Sequence, residues 1–345
     1  MKSNRISRRN FIQKSALTAG MVSVVPFGLD GDLASADPLE DRSPREVWIA
    51  GVSQMGLKAK TPELMVETIL GILKEAVTYK PDIVCLPEVF PFEYIDTKLT
   101  LAKKVEISDK VLETFAEFSK QNNCYTVCPV YTSAAGKIYN SAVVFDRNGK
   151  RIGQYNKIHE TVGAIADGVS CGELFQPVIM TEFGPIGIQI CYDINWDDGW
   201  KMLNGQNARI IFWCYAFDGG QQLNMKALQN KCIVASSTNK NTSKICDIDG
   251  RTITKTGIWD LNFYCGPVNL EKVFLPTYDY LSQFEEIKKK FGRKVRVTTF
   301  HEEEWTIIES VSPDVFINDI VKEFNLKSHM EGLREAEIVQ AKSRI

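Results

Sequence analysis

The sequence predicts an α/β protein in which helices and mixed β-sheets pack in layers. Short apolar runs typical of buried strands alternate along the chain with amphipathic segments of helical period. Several of the strands follow one another across short turns, and such hairpins join antiparallel strands. Because alternation with helices favours parallel strands and hairpins require antiparallel ones, we expect mixed sheets.

The elements follow in order from residue 47. The first strand is predicted at residues 47–53, and the first helix begins at Thr61, a capping residue, with Pro62 in its first turn. A second helix is predicted to begin at Ser108 and Asp109, which have the composition of a helix cap. Further strands are predicted at residues 82–86, 124–131, 138–145, 151–155, 178–183, 186–190, 209–213 and 232–238, and further helices at residues 197–206 and 223–231.

Composition excludes several classes of protein. The chain of 345 residues has a formal net charge of -2, which argues against a dedicated surface for nucleic acid or anionic membranes. Most of the nine cysteines lie inside apolar strand-like runs, as small buried side chains do, so no disulfide framework is predicted. Cys124 and Cys128 have no second pair at zinc-ligand spacing, and three histidines make a histidine-rich metal site improbable.

The N-terminal residues contain the three parts of an export signal in the expected order. Residues 7–14 read SRRNFIQK, a twin-arginine motif, an apolar segment follows at residues 16–27, and Ala34-Ser35-Ala36 is a small-x-small cleavage site. The alternative is a chance basic amphipathic N-terminus. We expect residues 1–36 to be a twin-arginine signal peptide, and the mature protein to be periplasmic or otherwise extracytoplasmic, without a membrane segment.

Three polar residues stand where predicted strands end. Glu88 follows the run IVCLP, Lys157 follows IGQYN, and Cys191 follows IGIQI. They are a carboxylate base, a fixed cation and a soft nucleophile. A thiol with a pKa of about 8.5 needs a base or a neighbouring cation to attack at neutral pH. The turn after Cys191 leads into the helix near residue 197, so backbone amides there can also face an oxyanion.

Each of these residues alone has an ordinary explanation. A strand-end cysteine is more often a buried packing residue, and single lysines and glutamates are usually on the surface. The order Glu88, Lys157, Cys191, with each residue at a strand end, is much more specific than any one of them. A serine hydrolase is disfavoured because the chain has no Gly-x-Ser-x-Gly sequence.

Three blocks of the sequence resemble the signature blocks of the nitrilase superfamily, the carbon-nitrogen hydrolases. They are LPE at residues 86–88, YNKIH at residues 155–159 and GIQICYD at residues 187–193. The resemblance covers roughly residues 47–270. It implies a four-layer αββα sandwich with two mixed sheets, a hydrolase domain at residues 45–275, and a C-terminal extension at residues 276–345 that packs on the domain or on a dimer partner.

The resemblance also implies a mechanism. Glu88 would be general base and acid, Lys157 would stabilise the oxyanion, and Cys191 would be the nucleophile that forms a thioester with a small amide or carbamoyl compound. Neither a metal nor an organic cofactor is implied, and a homodimer or larger homo-oligomer is expected. The alternatives are a nitrile-cleaving nitrilase and a catalytically weakened relative that binds a small amide.

The chain departs from the family pattern between the lysine and the cysteine. Many members carry a second active-site glutamate there, and here Glu160 or Glu173 could replace it. Tyr192 and Trp196, beside the nucleophile, are candidates for the substrate or oxyanion site. Tyr215 follows a strand whose end often lines the substrate pocket in relatives. Plain packing is the alternative for Trp196 and Tyr215.

Overall fold

The computed structural model describes residues 46–240, 242–257, 259 and 262–344. The strands are β1 (Glu46–Val52), β2 (Ile83–Cys85), β3 (Tyr125–Ala134), β4 (Lys137–Phe145), β5 (Arg151–Asn156), β6 (Ile179–Thr181), β7 (Gly184–Ile190), β8 (Ile210–Tyr215), β9 (Ile233–Thr238), β10 (Lys244–Cys246), β11 (Thr252–Lys255), β12 (Phe263–Asn269), β13 (Lys272–Pro276), β14 (Val295–Phe300) and β15 (Trp305–Ser310). The α-helices are α1 (Pro62–Ala76), α2 (Leu101–Asn122), α3 (Val162–Ala166), α4 (Asp198–Gly205), α5 (Gly220–Asn230), α6 (Leu281–Phe291), α7 (Ile317–Glu323) and α8 (His329–Ser343).

Two six-stranded sheets form the centre of the fold. The first has the order β12-β1-β2-β3-β4-β5 and the second the order β11-β10-β9-β8-β7-β6. In the first sheet β1, β2 and β3 are parallel, and in the second β7, β8 and β9 are parallel. The other neighbours in both sheets are antiparallel. The prediction of mixed sheets is confirmed.

The hydrophobic core shows that these sheets pack face to face between helices. Ile83 from the first sheet and Phe212 from the second belong to one buried cluster. Helices α1 and α2 bury their apolar faces, including Phe115, against the outside of the first sheet. Helices α4 and α5 do the same, with Trp200, on the second. Because an amphipathic helix must bury its apolar stripe, each outer sheet face is covered, and the predicted four-layer αββα sandwich is confirmed.

The helix starts show which capping predictions hold. The side chain of Thr61 accepts a hydrogen bond from the backbone N–H of Leu64 at 3.4 Å, as the sequence predicted. The predicted start of the second helix is wrong, because α2 begins at Leu101 after the capping residue Thr100. Ser108 lies buried inside α2, where its hydroxyl donates to the carbonyl of Lys104 at 2.8 Å. That internal hydrogen bond lets a typical capping residue occupy a helix interior.

The C-terminal residues form a further small sheet of order β13-β15-β14. Helices α6 and α7 pack on it around their own buried cluster, which includes Leu275 and Ile308. The segment also contacts the central sandwich, since an Arg334 guanidinium nitrogen donates to the carbonyl of Asn204 at 2.8 Å. The domain boundaries at residues 45, 275 and 276 stay predictions.

The predicted signal peptide, residues 1–36, lies outside the described residues. Among the residues that the structure does describe, no helix combines the length and the apolar character of a membrane span.

Candidate active site

The sheet topology brings the carboxyl ends of several strands together. In the first sheet β4 runs antiparallel to both β3 and β5, so β2, β3 and β5 all end at the same edge. In the second sheet β7, β8 and β9 are parallel and also end together. Ser53, just after β1, forms a parallel bridge with Thr238, the last residue of β9. The bridge joins these two edges, and Glu88, Lys157 and Cys191 all follow strands that end there.

A buried lysine between two carboxylates forms the centre of this edge. The Nζ atom of Lys157 lies 2.9 Å from Oε1 of Glu88 and 3.4 Å from Oε2 of Glu160. All three residues are more than nine-tenths buried, whereas Glu173 is exposed. Of the two glutamates that could supply a second carboxylate, the structure therefore places Glu160 at the lysine.

Cys191 stands on a sharp turn directly after β7. Its φ of 53° lies in the left-handed region, which residues with a side chain adopt rarely, and it begins a 3-10 helix, Cys191–Asn195. The indole nitrogen of Trp213 donates to the carbonyl of Cys191 at 3.2 Å. The carboxylate of Asp193 accepts from the backbone N–H of Ile190 at 2.8 Å. These contacts hold a strained backbone at the thiol, as is common at functional sites.

The electrostatics of the site favour a protonated thiol at rest. Burial raises the pKa of Cys191 well above its ordinary value, the charge of Glu88 raises it further, and Lys157 opposes both effects. Because Glu88 acts on the thiol at close range, it is the group that can receive the thiol proton during attack.

The two other charges respond to burial in different ways. Burial works to lower the pKa of Lys157, but the negative charges around it outweigh burial and the pKa is raised, so the ammonium persists. Burial raises the pKa of Glu160 to about 7, although Lys157 acts in the opposite direction. Glu160 can therefore change its protonation state near neutral pH.

Two asparagines fix Glu88, and the sequence analysis assigned a role to neither. The amide nitrogen of Asn140 donates to Oε1 of Glu88 at 2.8 Å. The amide nitrogen of Asn239 donates to the backbone carbonyl of Glu88 at 3.1 Å. Asn239 directly follows β9, so its position at a strand end was the available signal for it.

Asp193 connects the segment around Lys157 with the turn that begins at Cys191. This fully buried carboxylate accepts hydrogen bonds from the hydroxyl of Tyr155 at 2.8 Å and from the backbone N–H of His159 at 2.8 Å. The Nδ1 atom of His159 lies 3.2 Å from the same carboxylate, and Nε2 lies 3.2 Å from Asp198. The hydrogen bond with Asp193 is the main cause of a raised pKa for His159, with burial opposing it.

The three aromatic candidates occupy different places. Tyr215 is half-buried beside Cys191; burial raises the pKa of its hydroxyl, and the neighbouring Cys191 raises it further. Trp196 stacks on the ring of His159, with 4.3 Å between centroids and 6° between planes. Tyr192 meets Trp196 edge-on at 5.0 Å. Trp196 and Tyr192 are both more than one-third exposed, so they lie at the surface of the turn that begins at Cys191.

The described residues contain neither a cluster of metal ligands nor a disulfide. No group of three or more His, Cys, Asp or Glu side chains there is placed to hold a metal ion. All nine cysteines are free, including Cys85 and Cys214, whose sulfur atoms are 3.7 Å apart.

An αββα sandwich that brings a thiol, a carboxylate and an ammonium to the ends of its strands defines a class of thiol-dependent hydrolase. Residues 49–273 match the family model described as carbon-nitrogen hydrolase. The chain belongs to the carbon-nitrogen hydrolase family. The predicted enzyme class, a hydrolase of carbon-nitrogen bonds other than peptide bonds, is confirmed.

The chain is similar in sequence to curated relatives and similar in fold to solved structures. The chain is 28% identical over 206 residues to a deaminated glutathione amidase from Synechocystis, which covers 54% of this chain and 75% of that protein. A carbon-nitrogen hydrolase from Helicobacter pylori G27 has a similar fold, with a TM-score of 0.59 at 16% identity over 72% of this chain and 93% of that one. Nit3 from Saccharomyces cerevisiae, a member of the nitrilase superfamily, gives a TM-score of 0.58 at 17% identity over 71% and 94% of the two chains.

Proposed function

We propose that this protein hydrolyses a small carboxamide through a thioester on Cys191, with Glu88 as general base and acid and Lys157 as the oxyanion-stabilising cation. The observation that carries the proposal is the buried ammonium of Lys157, 2.9 Å from Glu88 and acting on the adjacent thiol. The amidases among the relatives support an amide as the substrate.

The first half of the reaction forms the thioester. Glu88 takes the proton of the thiol while the sulfur of Cys191 bonds to the carbonyl carbon of the amide. The carbonyl oxygen becomes an oxyanion that the ammonium of Lys157 stabilises. The intermediate then collapses, the carbon–nitrogen bond breaks, and Glu88 returns the proton to the leaving nitrogen, which departs as ammonia.

The second half releases the acid. Glu88 takes a proton from a water molecule, and the resulting hydroxide attacks the thioester carbon. The carbon–sulfur bond breaks, the carboxylic acid leaves, and the thiol of Cys191 recovers its proton from Glu88. Glu160 also lies within ion-pair distance of Lys157, so the ammonium keeps its place while charge develops on the substrate.

The contacts of Glu160 weigh against a catalytically weakened binder. The departure from the family pattern after Lys157 favoured that reading, because the sequence alone left open whether Glu160 or Glu173 replaces the second glutamate. Glu160 supplies one at 3.4 Å from the lysine. Retention of Glu88, Lys157 and Cys191 in one buried cluster is a requirement of catalysis and not of amide binding.

We further propose export by the twin-arginine route and assembly as a homodimer or larger homo-oligomer. The motif at residues 7–14 supports export. Fractionation of a producing cell tests it, with Arg8→Lys combined with Arg9→Lys as the control that should retain the protein in the cytoplasm. Light scattering of the purified protein tests the assembly, and a monomer at micromolar concentration would contradict it.

The function is tested by ammonia release from simple amides, ureides and nitriles. We expect release from at least one amide, and its complete loss in Cys191→Ala. Cys171→Ala is the matched control, because Cys171 is an exposed thiol, and it should retain full activity. Release from nitriles alone would replace the amidase proposal by a nitrilase, and unchanged release in Cys191→Ala would reject the nucleophile.

A further inference from the structure

His159 joins the two chain segments that carry Lys157 and Cys191. It follows Lys157 by two residues, shortly after β5. Its Nδ1 atom lies 3.2 Å from Oδ1 of Asp193, which follows Cys191 by two residues, and its Nε2 atom lies 3.2 Å from Oδ2 of Asp198, in the first turn of α4. One imidazole ring therefore contacts both the turn that begins at Cys191 and the helix that follows this turn.

These two contacts require a particular protonation state of the ring. Ionised carboxylates only accept hydrogen bonds, and a neutral imidazole has a single N–H, so it can donate to only one carboxylate. The imidazolium has two N–H groups, and only this form can donate to Asp193 and Asp198 at the same time. The geometry therefore indicates that His159 is a cation when both contacts are made. The hydrogen bond with Asp193 raises the pKa of His159, burial opposes it, and the charges of both aspartates raise it further.

The burial of Asp193 gives an independent reason for a cation at this place. Asp193 is fully buried, and its carboxylate accepts hydrogen bonds from the hydroxyl of Tyr155 and the backbone N–H of Ile190. Within the described part of the chain, no lysine or arginine pairs with this carboxylate, and His159 is its ion-pair partner. A buried carboxylate is strongly disfavoured without a compensating charge. Loss of the proton from His159 would therefore destabilise the carboxylate that holds the residue before Cys191.

Trp196 covers one face of the His159 ring. The two rings stack with 4.3 Å between centroids and 6° between planes. A tryptophan face attracts a cation that lies over it. The carbonyl of Trp196 accepts a hydrogen bond from Nζ of Lys226 at 3.0 Å, which fixes the tryptophan from α5. The stacking therefore favours the charged form of His159 and holds its ring against the turn.

The other charged groups around His159 pair with one another. On its own segment, Lys157 and Glu160 lie 3.4 Å apart. On the neighbouring turn, Lys226 lies 2.5 Å from Asp197. The carboxylates in contact with the two ring nitrogens are therefore the charges that control the protonation of His159. The side chain is 15% exposed, so its proton can exchange with solvent.

We propose that His159 is a positioning residue whose imidazolium form holds the Cys191 turn in register with Lys157, and that turnover slows when the imidazolium releases its proton to solvent. The inference rests on the proposed function and adds a pH-sensitive contact to the same site. His159 acts through Asp193, which accepts from the backbone N–H of the residue before Cys191. A small displacement of the thiol from the substrate carbon is enough to slow its attack.

Nitrogen NMR of the full chain, labelled at histidine, measures the protonation state directly. The chain has three histidines, and the variant His159→Gln identifies the signals of this ring. We expect both ring nitrogens to carry protons in the charged form, with a titration midpoint above the ordinary histidine pKa of about 6.5. A midpoint at or below that value would overturn the proposal.

The pH profile of kcat distinguishes positioning by the cation from a merely structural role. Glutamine, like neutral imidazole, is an uncharged hydrogen-bond donor, so His159→Gln imitates the deprotonated enzyme at every pH. The ratio of kcat for the unmodified enzyme to kcat for His159→Gln should be about tenfold at pH 6 and should fall as the pH rises to 9, with little change in KM. A ratio that stays constant with pH would overturn the proposal.

Asp198→Asn and one control variant test the link between protonation and turnover. Asp198 is half exposed, so asparagine is tolerated there, and its loss of charge should move the NMR midpoint of His159 to lower pH. The pH at which kcat falls should move with it by the same amount. A midpoint that moves without the kcat profile would reject the link. His301→Gln, at an exposed histidine, should change neither measurement.

A measurement that needs no amide keeps the two proposals distinct. Alkylation of Cys191 by iodoacetamide, followed by peptide mapping, gives the same comparison of the unmodified enzyme with His159→Gln across pH. Failure to release ammonia from any simple amide counts against the proposed function. An alkylation ratio that does not change with pH, or a low NMR midpoint, counts against the positioning role of His159.

Discussion

Replacement of Lys157 by methionine should damage catalysis and stability in a way that depends on pH. Methionine has a similar length but no charge, so Lys157→Met leaves Glu88 and Glu160 buried without a cation. At 2.9 and 3.4 Å, each attraction amounts to about 5 kcal/mol at an effective dielectric constant of roughly 20. The net loss is smaller, because desolvation offsets part of it, and breaking a buried pair costs about 3 to 5 kcal/mol.

The pH dependence follows from the raised pKa of the Glu160 carboxylate. Lys157 lowers the pKa of Glu160, which burial raises to about 7, so its removal lets that pKa rise further. The folded variant then binds protons that the unfolded chain, with a glutamate pKa of about 4.3, has already lost. Its stability must therefore fall as the pH rises from about 4 through 7, and the deficit relative to the unmodified protein should be larger at pH 8 than at pH 5.

Urea unfolding at pH 5 and pH 8 measures the stability, and ammonia release measures kcat. We expect kcat to fall by about 100-fold or more, since the proposed role of Lys157 is to stabilise the oxyanion. Lys103→Met is the matched control, because Lys103 makes an exposed ion pair with Glu106 at 2.7 Å and should change stability by about 1 kcal/mol or less at either pH. A Lys157→Met variant with equal deficits at both pH values, or with normal kcat, would refute the reasoning.

Three further variants test the supporting contacts. His159→Gln should lower the melting temperature more at pH 6 than at pH 9. The hydrogen bond with Asp193 raises the pKa of His159, so the stability that this bond contributes is lost as the pH rises through that pKa. Equal shifts at the two pH values would contradict this prediction. Asn239→Ala removes the donor to the carbonyl of Glu88 and should reduce kcat about tenfold with little change in KM, whereas a change confined to KM would argue against positioning. Lys231→Met removes an ammonium that lies 4.0 and 4.2 Å from the ring centroids of Phe274 and Trp305; urea unfolding should show a loss of about 1 kcal/mol, with kcat unchanged.

The proximity of the three predicted catalytic residues could be anticipated because each follows a strand that is recognisable in the sequence. Glu88, Lys157 and Cys191 each follow a short strand, and parallel strands end together at one sheet edge. Asn239 meets Glu88 across a separation of 151 residues, and no local pattern indicates that contact. The choice between Glu160 and Glu173 likewise depends on which side chain the tertiary fold buries.

The fold, too, could be predicted only where neighbouring residues determine the local structure. The cap at Thr61 depends on neighbouring residues and was predictable, whereas Ser108 resembles a cap but lies inside α2, where its hydroxyl binds a carbonyl of the preceding turn. The strands of the C-terminal sheet carry many polar side chains, so β14 and β15 lack the apolar runs that marked the central strands. Their pairing with β13 stabilises them through contacts that the sequence pattern does not indicate.

The central claim is that an acyl group becomes attached to the sulfur of Cys191 during turnover. The most direct measurement is mass spectrometry of enzyme that is quenched with acid while it hydrolyses an amide, followed by peptide mapping. We predict an added acyl mass on the peptide that contains Cys191, its removal by hydroxylamine, and its absence from Cys191→Ala. Sustained ammonia release with no such adduct, or an adduct on another residue, would contradict the account.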